Sequence, residues 1–214
     1  YDLGLAFDGD ADRLLAVDER GNVLDGDFLL AILGDYLSGQ KALAKNTIVV
    51  TSMTNLGFFQ LMRRRGTATE VTKVGDRYVL EAMREGGYAV GGEQSGHMIL
   101  LEHNSTGDGL VTACQFLAAV RRSGKPVEEA IKVMTKFPQT LINVRVKDKH
   151  ALEGNAPIWD AVHAAEAEMG DTGRVLVRTS GTEPLVRVMV EAETQESADA
   201  HAKVIAEVVE RELA

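Results

Sequence analysis

The chain has 214 residues, 45% hydrophobic and 26% charged, with a formal net charge of -9 at pH 7. That length allows one large domain or two small ones with ample apolar content for a core, while the acidic balance argues against nucleic acid and anionic membrane as partners, because both require a basic face. The single cysteine excludes an internal disulfide, and with no apolar run near the ~18 residues of a membrane span and no visible signal peptide, a cytoplasmic protein is expected.

The apolar run Leu3-Gly4-Leu5-Ala6-Phe7 reads as a buried strand and feeds Asp8-Gly9-Asp10-Ala11-Asp12-Arg13. Three carboxylates at alternate positions, separated by small residues, can turn inward around one hard cation, and oxygen-only ligands favour Mg²⁺, Mn²⁺ or Ca²⁺ over zinc. A solvated acidic turn is the plain alternative. An EF-hand is excluded: Arg13 stands where its glycine is required, and no helix precedes Asp8. Arg13 places a cation beside the carboxylates, which is useful where an anion is handled. A buried strand with its functional loop this close behind needs neighbours from elsewhere. The chain is therefore expected to be the C-terminal part of a longer protein.

Leu14 to Asp18 and Val23 to Asp25 flank the turn Glu19-Arg20-Gly21-Asn22 as a hairpin. Asp27 is expected to cap a helix running to about Leu37 and ended by Gly39. Thr47 to Thr51 is a β-branched strand, and Leu56 to Arg65 a helix whose Arg63-Arg64-Arg65 suits the negative end of the helix dipole better than a phosphate site. A strand Thr69 to Thr72, the loop Lys73-Val74-Gly75-Asp76-Arg77 and a helix to about Glu85 follow. Tyr88 to Val90 and Met98 to Leu101 are strands around Gly91-Gly92-Glu93-Gln94-Ser95-Gly96-His97. Asp108 opens a helix to about Arg122, in which Leu110, Cys114 and Leu117 share one face and read as core. A shorter helix, Val127 to Met134, follows Pro126. Strands alternating with helices indicate an α/β domain with a mixed sheet.

Around Lys136-Phe137-Pro138 the pattern changes. Strand Thr140 to Val146, a helix from about Ala156 to Met169, strands Arg174 to Val177 and Leu185 to Ala192, and a helix from about Glu196 to Leu213 with the stripe Ala198, Ala202, Ile205, Val209 describe a small α+β domain, an antiparallel sheet with helices on one face.

Two further loops carry chemistry. In Glu93-Gln94-Ser95-Gly96-His97, flanking glycines let the backbone approach a ligand, and Glu93, Ser95 and His97 can hydrogen-bond sugar hydroxyls or an amine. Glu93 occupies the first glycine position of a Gly-x-Ser-x-Gly elbow, so Ser95 is not read as a nucleophile. In Arg178-Thr179-Ser180-Gly181-Thr182-Glu183-Pro184, hydroxyls, free amides around Gly181 and the guanidinium of Arg178 form an anion cradle that Arg187 can reach from the next strand. A polar hairpin with an exposed arginine is the simpler alternative, but it does not call for so many donors beside a cation.

Together the three loops, in this order, resemble the α-D-phosphohexomutases: Asp8 to Arg13 looks like the family's metal loop, Gly92 to His97 its sugar loop and Arg178 to Pro184 its phosphate loop. Val74 to Val79 and His103-Asn104-Ser105-Thr106-Gly107-Asp108-Gly109 look most like the bacterial branch acting on glucosamine phosphates. The resemblance implies four domains around a cleft. Residues 1–20 would end the second, 21–135 form the third (sugar recognition) and 136–214 the fourth (phosphate binding), the partners being the preceding domains and a small sugar phosphate. It implies Mg²⁺ on Asp8, Asp10 and Asp12, Arg13 and His97 as catalytic groups, and Glu93, Ser95, His97, Asp76, Arg77, Arg178, Ser180, Gly181, Thr182 and Arg187 as substrate-binding ones. The implied reaction interconverts glucosamine 6-phosphate and glucosamine 1-phosphate through a phosphoserine and a bisphosphorylated sugar. None of the prolines at 126, 138, 157 and 184 follows an asparagine, so no Ser-His-Asn-Pro-like phosphoserine loop occurs here and the chain alone is expected to be inactive. A sister enzyme on glucose or mannose phosphates and a non-catalytic phosphosugar-binding module are the alternatives. The group exchanging protons with the sugar hydroxyl stays open among His97, Lys73, Asp76 and Arg77.

Overall fold

A computed structural model describes all 214 residues, which divide into two compact units, Tyr1–Lys136 and Phe137–Ala214. The first unit begins with an antiparallel ribbon of β1 (Leu3–Phe7), β2 (Leu14–Asp18) and β3 (Val23–Leu24), in that order. Phe7 lies opposite Leu14, so residues 8–13 form the loop that closes the first hairpin. A second sheet has the order β5-β4-β6-β7, from β4 (Thr47–Thr51), β5 (Ala68–Thr72), β6 (Val90–Gly92) and β7 (Met98–Leu100). β4 runs parallel to β5 and β6, and β7 is antiparallel to β6.

Every residue of β4 is buried, as expected of a parallel strand covered on both faces. Ile48 and Val50 point into a core with Leu29, Leu30, Phe58, Met62 and Phe116, from helices α1 (Gly26–Gly39), α2 (Leu56–Arg65) and α4 (Gly109–Ser123). Val49 points the other way, against Val79 and Met83 of α3 (Asp76–Gly86). Each fully buried side chain of this kind contributes ~1.5–3 kcal/mol. The helices stop where the sequence breaks them: Gly66 (φ +67°) and Gly124 (φ +69°) are left-handed caps after α2 and α4. The expected helix over 127–134 is a single turn, α5 (Val127–Ala130), continued as 3₁₀ structure.

Two expectations are corrected. The cap of α1 is Asp25, whose Oδ1 accepts the N–H groups of Asp27 (3.2 Å) and Phe28 (3.4 Å); Asp27 is already inside the helix and completely buried. The face of α4 bearing Leu110, Cys114 and Leu117 is exposed, and Ala113, Phe116, Ala119 and Val120 face the core instead. Helical periodicity identifies an apolar stripe, but α4 carries two, and the pattern does not say which one meets the sheet.

The second unit is an antiparallel sheet of order β8-β10-β9, from β8 (Gln139–Arg145), β9 (Arg174–Thr179) and β10 (Leu185–Glu191). Val175, Val177, Val186, Val188 and Val190 bury against α6 (Ala156–Met169) and the Ala198, Ala202, Ile205, Val209 stripe of α7 (Gln195–Leu213). Mixed-sheet and antiparallel-sheet architectures thus appear in the expected order. No helix is long and apolar enough to cross a membrane.

Candidate functional site

The acidic loop is a tight structure held at both ends. The Ala11 N–H donates to Asp8 O (3.2 Å) and the Arg13 N–H to Asp8 Oδ1 (3.2 Å). Ala11 adopts φ +58°, a left-handed conformation costing a non-glycine residue ~1 kcal/mol. Its carbonyl accepts the Gly109 N–H (2.9 Å), which fixes the loop to the start of α4. One carboxylate oxygen from each of Asp8, Asp10 and Asp12 lies within 4.8 Å of the others. Arg13 Nε stands 3.7 Å from Asp8 and 3.8 Å from Asp12, and Asp12 Oδ1 is buried with no hydrogen-bond partner.

The Gly92–His97 loop is directly beside it. The Leu14 N–H donates to Gly96 O (3.1 Å), and Arg13 and His97 form an antiparallel bridge. Gly96 sits at φ +93°, and a Cβ there would fall 2.2 Å from Leu14 O, so only glycine permits this approach. His97 is buried, its Nε2 3.5 Å from Asp12 Oδ2, under Gly107, whose added Cβ would come within 2.1 Å of that nitrogen. Its geometry sets it behind Asp12. Ser95, by contrast, is exposed, and Glu93 is half-buried, its Oε1 accepting the Gly75 N–H at 2.9 Å.

Asp27, read from the sequence only as a helix cap, ties this loop down. Asp27 Oδ2 accepts both Gln94 Nε2 (3.0 Å) and the Asn55 N–H (3.0 Å), while Gln94 O accepts the Gly26 N–H (3.0 Å). The starts of α1 and α2 are thereby clamped onto the loop. Burial, then the neighbouring Asp25 carboxylate, pushes the Asp27 carboxyl up to about 7 against the bonds from Asn55 and Gln94 and the pull of Lys136. Its Oδ1 has no hydrogen-bond partner. Asp76 and Arg77 lie exposed at the start of α3, and Arg77 Nε donates to Glu81 at 2.8 Å rather than to the Gly92–His97 loop. Gly75 alone links their segment to Glu93.

In the second unit, the loop between β9 and β10 places Arg178 directly opposite Arg187. Like charges at facing positions of a ladder repel. Burial, then Arg187, lowers the Arg178 guanidinium below the ordinary arginine value. Arg187 Nε is buried without a partner, and its Nη2 reaches Glu183 only at 3.5 Å. Ser180 is buried, its N–H donating to Leu185 O (2.8 Å) and its Oγ accepting the Glu183 N–H (3.3 Å), whereas Gly181 and Thr182 are exposed. Lys149, which no motif marked, donates to the carbonyls of Ser180 (2.8 Å) and Gly181 (3.2 Å). That third cation lies under the loop. Two facing guanidiniums, of which only Arg187 has a carboxylate partner, Glu183 at 3.5 Å, beside exposed loop amides offer donors that suit a dianion.

Comparison with known proteins agrees with this layout. Residues 25–137 match phosphoglucomutase/phosphomannomutase α/β/α domain III, and residues 141–208 match the C-terminal domain of the same family. The phosphoglucosamine mutases of Staphylococcus carnosus and Bacillus subtilis are 52% and 51% identical over 212 residues, 99% of this chain and 47% of each relative. The chain thus spans about half the length of the curated relatives it matches. A crystal structure of Aspergillus fumigatus N-acetylphosphoglucosamine mutase in complex with GlcNAc-6P and magnesium superposes with a TM-score of 0.80 at 22% identity, covering 97% of this chain and 48% of that one, which shows a shared fold. With a family match over more than half of its residues, the chain belongs to the phosphoglucomutase/phosphomannomutase family, the α-D-phosphohexomutases.

Proposed function

We propose that this chain supplies the sugar-recognition and phosphate-binding parts of a phosphoglucosamine mutase, which interconverts glucosamine 6-phosphate and glucosamine 1-phosphate. The observation that carries the reading is the contact between the acidic loop and the Gly92–His97 loop, made through Leu14, Gly96 and the Arg13–His97 bridge. It sets groups suited to a transferring phosphoryl beside groups suited to a sugar. The relatives at about half identity support the choice of glucosamine phosphate over glucose or mannose phosphates.

The residues fit a hard divalent cation: three converging carboxylates, all-oxygen donors, and a buried Asp12 oxygen without a hydrogen-bond partner. Asp8, Asp10 and Asp12 would hold Mg²⁺, which when bound neutralises charge on a transferring phosphoryl group. Arg13 would stabilise the same charge, a role supported by its half-exposed guanidinium within 4 Å of two of the carboxylates. His97 positions Asp12 from behind. Ser95 and Glu93 face the sugar, with Asp76 and Arg77 at the margin. Arg178, Arg187, Ser180, Gly181 and Thr182 grip the phosphate that is not reacting.

In the complete enzyme the phosphoryl group would leave a serine oxygen for the free hydroxyl of the sugar phosphate, whose proton is taken up as the new P–O bond forms. The resulting bisphosphate would turn over and return its other phosphoryl group to the serine. The test is calorimetry of this chain with glucosamine 6-phosphate, and rate comparison of the full-length protein on glucosamine, glucose and mannose phosphates. Binding weakened in Arg178→Ala, with the glucosamine substrate fastest, is expected. No binding by the chain, or a preference for mannose or glucose phosphate, would overturn the assignment.

A further inference from the structure

Away from the loops described above, the C-terminal ends of three helices of the first unit enclose a groove of about 850 Å³. α1, α2 and α4 begin on the side of the functional loops, at Gly26, Leu56 and Gly109, and end at the groove, at Gly39, Arg65 and Ser123. With 14 residues at 1.5 Å each, α1 alone separates the two places by roughly 20 Å.

The groove concentrates positive charge on a chain of net charge -9. Arg64, Arg65, Arg122, Lys125 and Lys132 line it, against two carboxylates, Asp35 and Glu129. Arg65 pairs with Asp35 and Lys132 with Glu128. Arg64, Arg122 and Lys125 make no ion pair; Arg122 Nη1 donates instead to the Tyr36 hydroxyl, at 2.9 Å. Its floor is apolar, built by Ile32, Leu61, Val120 and Val133. Helix dipoles explain why basic residues end α2 and α4. They do not explain why these cations, with Lys125 from the following loop, surround one apolar depression. That volume falls in the range of small-molecule sites and exceeds what a bare phosphate fills. Guanidiniums bind phosphates bidentately and stack on planar rings. An extended polyanion would meet the acidic remainder of the surface, whereas a compact one would not.

We propose that this groove is a binding site for a nucleoside polyphosphate, the phosphates on Arg64, Arg122 and Lys125 and the base over the apolar floor. The inference is independent of the proposed mutase reaction. The test is amide NMR titration of the metal-free chain with ADP, with orthophosphate and glucosamine 6-phosphate as parallel arms. Expected are saturable shifts confined to residues 32–40, 61–65 and 119–133, weakening as salt rises. Arg64→Ala and Lys125→Ala, both at exposed positions, should each weaken ADP binding by about tenfold and leave the rest of the spectrum unchanged. Absence of shifts at millimolar ADP, shifts centred on residues 8–13 and 92–97, or orthophosphate binding as tightly as ADP would each overturn the proposal.

Discussion

Asp27→Asn should make the first unit more stable at alkaline pH and erase a pH dependence that the native chain carries. The Asp27 carboxyl moves from 3.8 to about 7 on folding, chiefly through burial. A shift of that size corresponds to about 4 kcal/mol tighter proton binding in the folded state. For an acid whose folded value is raised, the contribution is complete below pH 3.8, declines as pH rises through about 7, and is then fully lost. Asparagine is the same shape as the protonated acid. Its oxygen can still accept from Asn55 and Gln94, and its amide nitrogen takes the place of Oδ1, which has no partner in either case. The variant should therefore match the native chain near pH 4 and exceed it by about 4 kcal/mol above pH 8. Asp18, Asp108 and Asp199, whose carboxyls are held below the usual range by hydrogen bonds, cancel in the difference between the two proteins. The assay is urea unfolding from pH 4 to 9, followed on the amide signals of β4, because the single tryptophan, Trp159, belongs to the second unit. Parallel curves, or a less stable variant at pH 8, would refute the reasoning.

Other outcomes follow from the same geometry. Arg178→Ala should weaken glucosamine 6-phosphate binding about tenfold by calorimetry, yet change second-unit stability by less than ~1 kcal/mol, because it also removes the repulsion from Arg187; a large loss of stability would mean the guanidinium is structural. Asp10→Asn should abolish the paramagnetic broadening that Mn²⁺ causes at residues 8–13 and leave the fold intact, since Asp10 is exposed; unchanged broadening would place the ion elsewhere. Gly26→Ala would put a Cβ 2.0 Å from Glu93 O and should destabilise the first unit by ~1–3 kcal/mol in urea while accelerating amide exchange at Gly96. The 214-residue chain should not turn over glucosamine 6-phosphate at all, and measurable product would contradict the need for a serine donor.

Much of the layout was readable from local pattern. The alternate carboxylates of residues 8–13, the glycines around Glu93–His97 and the hydroxyl-rich turn at 179–182 are short-range features, set by neighbouring residues and the turns they permit. The β-branched Thr47–Thr51 run and the α7 stripe revealed a buried strand and a packed helix for the same reason. Where the pattern fitted two answers it misled: Asp25 and Asp27 are both plausible caps, and α4 has two apolar stripes. Arg77 pairs with Glu81, one helical turn away, a contact that the i,i+4 spacing in the sequence already allows.

Contacts across long stretches of chain were decided by the tertiary structure. Asp27 meets Gln94 from 67 residues away and Lys149 meets Ser180 from 31, and neither lysine nor aspartate carries a local mark of its partner. The facing of Arg178 and Arg187 depends on a strand register, and the burial that raises Asp27 depends on helices closing over it. Residue order determined which chemical groups each loop offers. Packing determined which of them are desolvated, clamped or left unpaired, because dielectric and hydrogen-bond supply belong to the surroundings rather than to the residue.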